Sequence, residues 1–516
     1  MEANTDFVGC SICGTLNQNG NRYCHNCLSR LDPSGNLSMA EAVSLQASIA
    51  KKKRLRRLLK LAFLSIVFSL IVVILVRQFV FPYSFAKSAS GSFAISTEDD
   101  IWPKIYKDIF NSNFVEVDIR PAHKGFYEIY SKGFYEIYRS TEALSAPTFD
   151  SDNMYISSKA GYILALDRQN YEEKWSFDNR GPIDHSPLVA NGQAFWGLRD
   201  GTVMAVNSET GTKSWVHKSD GYKTYPLSLH AGIIFAASGD EKLYALDSLD
   251  GSTIWEYDAG DLIVGSVAVF NDVVVLNTGN GYVNVIDVKS GKRKFFIKVQ
   301  GLSGSPTIVN NKVVVGDNRG YIYVIDTDNR TYPFERAIRW ILLQLWAWGA
   351  IGPLDPPKGL DRVSYFEDVN FSSSISSNGY DLFVLSIPLH KCDINSYIVR
   401  NNPRTALDKA CAFGSLGRLH SIDYEDLDFD WTYKTDRARS GAYFTQAPII
   451  FNDIALIGDG SGLLHFVDIE SGDALMSYDL GAPISQAPVY SGGRIYVVTD
   501  AGSLHSMQVV PWLLSQ

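Results

Sequence analysis

The sequence lacks the short patterns that announce most catalysts. It has no phosphate-binding glycine loop, no HExxH and no GxSxG, so P-loop nucleotide chemistry, zincin-type hydrolysis and the nucleophile elbow have no local signature. Residues 301–306, GLSGSP, offer a serine but no base to activate it. Basic charge is scarce outside the beginning of the chain. Residues 1–60 hold 9 Lys or Arg against 4 Asp or Glu, whereas the rest of the chain holds 38 against 52. So acidic a body excludes nucleic acid as a partner, because neutralising phosphates requires clustered lysine and arginine. Long apolar runs are also rare, and so is cysteine, with six in 516 residues.

Four of those cysteines share one stretch, CSICGTLNQNGNRYCHNC at residues 10–27. Cys10, Cys13, Cys24 and Cys27 form two CxxC pairs ten residues apart, and four thiolates at this spacing close a tetrahedral zinc shell. Two structural disulfides are the competing reading. With the shell complete, His25 is a surface residue. Gly14, Tyr23 and Leu31 around the pairs resemble the small zinc ribbons at the start of many bacterial membrane proteins, which implies a structural zinc and a ribbon over 1–32.

The basic run KKKRLRR at 51–57 closes a linker over 33–57 and leads into LAFLSIVFSLIVVILV at 61–76. About 20 apolar residues cross a bilayer as a helix, and Arg77 is near enough to the end to snorkel. The expectation is an uncleaved, single-pass anchor over 58–82 rather than a signal peptide, which would not follow some 50 residues of other sequence. Positive charge stays inside, so the N-terminus is cytoplasmic and everything from about residue 83 is extracytoplasmic. This topology places the thiol cluster in the reducing compartment. It places Cys392 and Cys411 where disulfides form, and a bridge between them would stabilise by roughly 3 kcal/mol. A stalk is expected over 83–131.

From about residue 140 the chain repeats with a period near 40. An acid or amide is followed eight positions later by an aromatic or large apolar residue: Asp167 and Trp175, Asn207 and Trp215, Asp247 and Trp255, Asp287 and Phe295, Asp326 and Phe334, Asp423 and Trp431, Asp468 and Met476. Units open at Pro147, Pro187, Pro226, Val267, Pro306, Pro448 and Pro488, with a degenerate opener around Ser374. Two alternating runs separate each opener from its acid, so each period holds four short strands, a propeller blade. The expected fold is mainly β, an eight-bladed propeller over 132–516. Its last unit lacks a fourth strand, which KGFYEIYRS around Tyr135 should supply, closing the ring and removing an exposed edge. A near-copy, KGFYEIYS, precedes it at 124–131. Insertions are expected at 327–365 and 388–414. The first carries an apolar helix over 337–351 whose Trp340, Leu342, Trp346 and Trp348 form a candidate docking face; the second holds Cys392 and Cys411.

The repeat resembles the pyrroloquinoline-quinone-type propeller family, in which the acid, glycine and tryptophan dock neighbouring blades. Dehydrogenases of that family hold the quinone against a disulfide between adjacent cysteines and bind calcium beside it. No two cysteines are adjacent here, so no pyrroloquinoline quinone and no enzyme activity are expected. In function the chain is more similar to the propeller subunit of the outer-membrane protein assembly machinery, a scaffold. That resemblance implies a membrane-anchored scaffold for envelope proteins. The alternatives are a sensor signalling through a cytoplasmic partner of the zinc ribbon and, more remotely, a quinoprotein dehydrogenase.

Overall fold

The computed structural model describes residues 7–18, 20–31, 39–79, 104, 114–115, 135–222, 224–299, 301, 304–328, 341–342, 344–350, 359–367, 369–371, 373–388, 417–435, 444, 446–451 and 453–508. Two compact units divide the chain, Met1–Ser84 and Phe85–Gln516.

In the first unit a two-stranded sheet, Phe7–Gly9 with Leu16–Gln18, precedes one helix, Met39–Phe79. Among the described residues no helix is long and apolar enough to cross a membrane. Side chains along this helix are described only as far as Ser69, within the apolar run, so the span expected over 58–82 is not established. Of the apolar side chains that are described, Leu58, Leu61, Phe63, Leu64, Ile66 and Phe68 are exposed and Val67 is half-buried.

The second unit is the propeller. Blade two shows how each blade forms: Leu188–Ala190, Gln193–Gly197, Thr202–Asn207 and Lys213–Lys218 pair antiparallel in sequence order. A tight turn at Asn191 and Gly192, both at positive φ, joins the first two strands. The second and third strands are almost wholly buried, and the fourth alternates between exposed and covered positions. Eight such sheets follow one another. In most blades the first strand lies just after the expected opener, although in blade four Val267 falls inside the strand Ile263–Phe270. At the degenerate opener Ser374 Oγ accepts the Ser305 N–H at 2.9 Å, as Ser305 Oγ accepts that of Ser266 at 2.8 Å.

Closure is as expected. Tyr135–Arg139 pairs with Ser503–Gln508, completing blade eight. Tyr135 stands opposite Ser506 as Trp215 stands opposite Ala205. The first copy of the duplicated segment, at 124–131, lies outside the described residues, as do Cys392, Cys411 and Trp340.

Three expectations need correction. The first insertion ends at Gly359 rather than at 365, because Leu360–Tyr365 is itself the fourth strand of blade five. An offset of eight from Asp326 therefore falls inside the insertion, and Phe334 is not the docking residue; Arg362 holds that register position, opposite Val324. Nor is the stalk over 83–131 separate from the propeller. Phe114–Val115 pairs parallel with Ile449–Phe451, the innermost strand of blade seven, and Lys104 is buried against Ser228 of blade three.

Candidate functional site

Two constellations carry the sequence's chemical signals: the four thiols and the motif residues between blades. Around the thiols the chain folds into two matching knuckles. Gly14 and Leu28 donate backbone N–H groups to the carbonyls of Cys10 and Cys24 at 2.7 and 2.9 Å, while the N–H groups of Cys10 and Cys24 reach Thr15 and Ser29. The left-handed conformations at Gly14 and Leu28 let the chain turn that tightly. Four sulfurs result, all within 4.8 Å of one another, with Cys10–Cys27 at 3.6 Å and Cys13–Cys24 at 3.4 Å. A disulfide needs about 2.05 Å, and all four cysteines are free. By contrast, a tetrahedron with zinc–sulfur bonds of about 2.3 Å has sulfur–sulfur edges of about 3.8 Å, close to what is seen. His25 is turned away, donating from Nδ1 to Asn17 Oδ1 at 2.7 Å, and Asn17 in turn reaches Cys24 Sγ.

Charge in this cluster is uneven. Burial pushes the Cys13 thiol up to about 11. For Cys24 burial works in the same direction, but backbone N–H groups of Cys27 and Asn26, with Cys13 and Asn17, outweigh it and lower the thiol to about 6. Cys24 is therefore the sulfur held most readily as a thiolate, the form a metal takes, whereas Cys13 would give up its proton only on binding.

Between the blades the motif residues act as a repeated joint. Each acid caps its own turn: Asp167 Oδ1 accepts N–H bonds from Gln169 and Asn170 at 2.9 and 3.2 Å, and Asp468 does so from Glu470 and Ser471. Each tryptophan reaches into the next blade. Indole N–H groups of Trp175, Trp215, Trp255 and Trp431 donate to the carbonyls of Ser208, Ser248, Val288 and Ile469 at 2.7–3.0 Å. In every case the acceptor follows the next blade's acid or amide. At blade five Arg362 does the same with a guanidinium, donating to the carbonyls of Tyr424 and Glu425 and lying 4.8 Å from the Tyr424 ring centroid. Gly359 serves the preceding joint, where it packs on Phe295 of blade four as Gly291 packs on Trp255, and it marks where the fourth strand of blade five begins.

Buried polar groups that sequence reasoning missed also lie across the strands of blade six. Ser386 Oγ is 2.6 Å from His420 Nε2, and His420 Nδ1 is 2.9 Å from Thr432 Oγ1. This resembles a nucleophile with its base, but Ser386 and His420 are both buried. Desolvation, with Arg418 and Lys434 nearby, holds the imidazole at about 4, far too weak a base at neutral pH. Its effect is on stability. A histidine kept neutral in the fold, with a pKa below the unfolded value, leaves the unfolded chain to take the proton first, so stability falls as pH drops from about 6.5 to about 4. By pH 4 the expected loss from this residue is about 3 kcal/mol. Urea unfolding between pH 7 and 4.5 checks it: His420→Asn should flatten the dependence relative to the parent chain, and parallel curves would assign the pH effect to other groups.

The expected docking segment is partly described. Residues 341–342 and 344–347 are helical, and a turn at Trp348 and Gly349 follows. Ile341, Trp346 and Trp348 are 51, 49 and 76% exposed, while Leu342 is half-buried.

Comparison with known proteins places these joints in a family. A family model described as outer membrane protein assembly factor BamB matches residues 136–231, 222–330 and 403–510. Proteins with that description include one from Nitrosomonas eutropha, 26% identical over 30% of this chain and 38% of its own length. Another, from Moranella endobia, is 20% identical over 68% of this chain and 96% of its own. A quinohemoprotein alcohol dehydrogenase from Comamonas testosteroni is 26% identical over 27% of this chain and 23% of its own. Among solved structures, BamB from Moraxella catarrhalis covers 74% of this chain and 99% of its own at 13% identity and a TM-score of 0.52. The Comamonas dehydrogenase structure covers 80% of each chain at 12% identity and a TM-score of 0.57. Both share the fold.

Proposed function

Because the chain belongs to the propeller family described as outer membrane protein assembly factor BamB, we propose that it is a non-catalytic envelope scaffold that docks partner proteins on its propeller. The observation that carries this is the segment in the third turn of blade five. A blade needs no such insertion, yet here it presents Ile341, Trp346 and Trp348 to solvent, and large exposed apolar and aromatic side chains are what partner surfaces bury. The motif side chains support a non-catalytic role, since acids, tryptophans and Arg362 are all occupied in holding turns and neighbouring blades.

Anchoring in the membrane is part of the proposal. Leu61, Phe63, Leu64, Ile66 and Phe68 are exposed, and a helix apolar on all sides is suited to hydrocarbon rather than water. The basic run before it orients the ribbon to the cytoplasm. In the ribbon, Cys10, Cys13, Cys24 and Cys27 would hold a structural zinc, supplying cohesion that so small a core lacks. Metal analysis of the purified chain should give about one zinc per chain. Cys24→Ser should lose it and unfold residues 7–31 while the propeller's unfolding transition stays in place; parent protein free of zinc would remove the metal from the proposal.

The test of docking is affinity purification of the full chain from envelope membranes in detergent. Outer-membrane assembly proteins should co-purify, and Trp346→Asp with Leu342→Asp should release them at unchanged melting temperature. Retention of the same partners by that variant, or a large fall in its stability, would place the segment in the propeller's own packing instead.

A further inference from the structure

The propeller's first strands surround its axis, and in blade seven that inner edge is taken. Phe114 and Val115 pair with Ile450 and Phe451, in the one parallel pairing among the described residues. The other side of Ile449–Phe451 is occupied by the blade's second strand, so the added pair lies on the side toward the axis. Ten residues earlier, Lys104 is 1% exposed, with Nζ 3.1 Å from Ser228 Oγ on the first strand of blade three. Blades three and seven are four apart in a ring of eight, and therefore face each other across the channel.

An ammonium buried without partners costs several kcal/mol and would simply leave for water. Here it is received specifically. Ser228 Oγ donates its own hydrogen to the Val267 carbonyl at 2.8 Å, leaving lone pairs for Lys104. Ten residues can reach at most roughly 33–36 Å, ample to cross the centre of a propeller. Both contacts fall on inner strands, and neither belongs to the 40-residue repeat.

From this we infer that the chain ahead of the propeller is a resident plug of its axial channel, pinned at blade three by Lys104 and strand-paired to blade seven by Phe114 and Val115. Two consequences follow. At two opposed inner strands the channel that propellers commonly offer to ligands is already engaged by this chain itself, which directs partners to the rim and loops. Any extended segment that adds to the inner edge of blade seven must first displace Phe114 and Val115, so the plug competes with strand addition there.

The test uses the full chain in detergent with Ser228→Cys as a reporter on the channel wall. With the plug intact a maleimide should label position 228 slowly, since Ser228 is fully buried. Adding Lys104→Gly, Phe114→Gly and Val115→Pro should raise that rate by about tenfold or more, as local opening no longer limits access. Equal rates in two folded proteins would overturn the plug. A second measurement covers the case in which the altered chain does not fold. In the otherwise unaltered chain, Phe114→p-benzoylphenylalanine should crosslink on illumination to the peptide holding residues 449–451 of the same molecule. Crosslinks only to other parts of the chain, or only between mixed isotopically labelled copies, would overturn it equally.

Discussion

Replacing Trp255 with alanine is expected to cost the propeller about 4 kcal/mol, the range for removing a large aromatic from a packed interior. Trp255 is 8% exposed, donates to the Val288 carbonyl at 2.8 Å and packs against Phe235 at 5.9 Å between ring centroids. Its loss removes apolar contact on both sides of the joint and strands a buried carbonyl. The same joint can be broken from the other blade. Gly291 sits at φ +65°, and a Cβ there would lie 2.6 Å from the indole. Gly291→Val should therefore destabilise through both the left-handed backbone and the clash. Urea titration of the folded chain reads both as a lower midpoint at unchanged slope. A loss under about 1 kcal/mol for Trp255→Ala would mean that blades are held by their hydrophobic faces alone.

The second large effect concerns ring closure. A chain beginning at residue 120 should fold as a closed ring, and one beginning at residue 140 should not, because it lacks Tyr135–Arg139 and leaves Ser503–Gln508 as an unpaired edge. Ile137 and Tyr138 pack against the core cluster spanning blades seven, eight and one, so their removal should cost about 4 kcal/mol before any lost backbone pairing is counted. Exposed edges also template association. Both shortened chains lack the plug, so the difference between them reports closure alone. Thermal melts and size-exclusion chromatography should show a stable monomer for the longer chain and a lower melting temperature with aggregation for the shorter. A third chain, with 135–139 deleted but 124–131 kept, asks whether the near-copy KGFYEIY can take the closing place. Equal stability in the first two chains would show that blade eight stands on three strands.

Much of this architecture was legible in the residues because a propeller is locally encoded. The acid that caps a turn, the glycine at positive φ and the tryptophan behind it all fall within one 40-residue period, so counting periods counts blades. Closure was legible for the same reason, as a missing strand at one end and its match at the other. Blade five shows where such counting fails. Its insertion separates Asp326 from the strand Leu360–Tyr365, and an offset that holds only across a short turn then points at Phe334. Arg362 escaped notice because its function, donating to the Tyr424 carbonyl, is shared with tryptophan while its hydrophobicity is not.

By itself the sequence determined the repeat, the number of blades, the closing strand and the four-thiol cluster, since each rests on residues close in the chain or on a period that recurs. Tertiary structure alone decided which side chain completes the fifth joint, that His420 is buried next to Ser386, and that Lys104 and Phe114 reach the first strands of blades three and seven. Those features join residues as far apart as Lys104 and Ser228, or Phe114 and Ile450. Such contacts occur once, so no periodicity marks them; they exist because closing eight blades into a circle brings distant inner strands to a common axis.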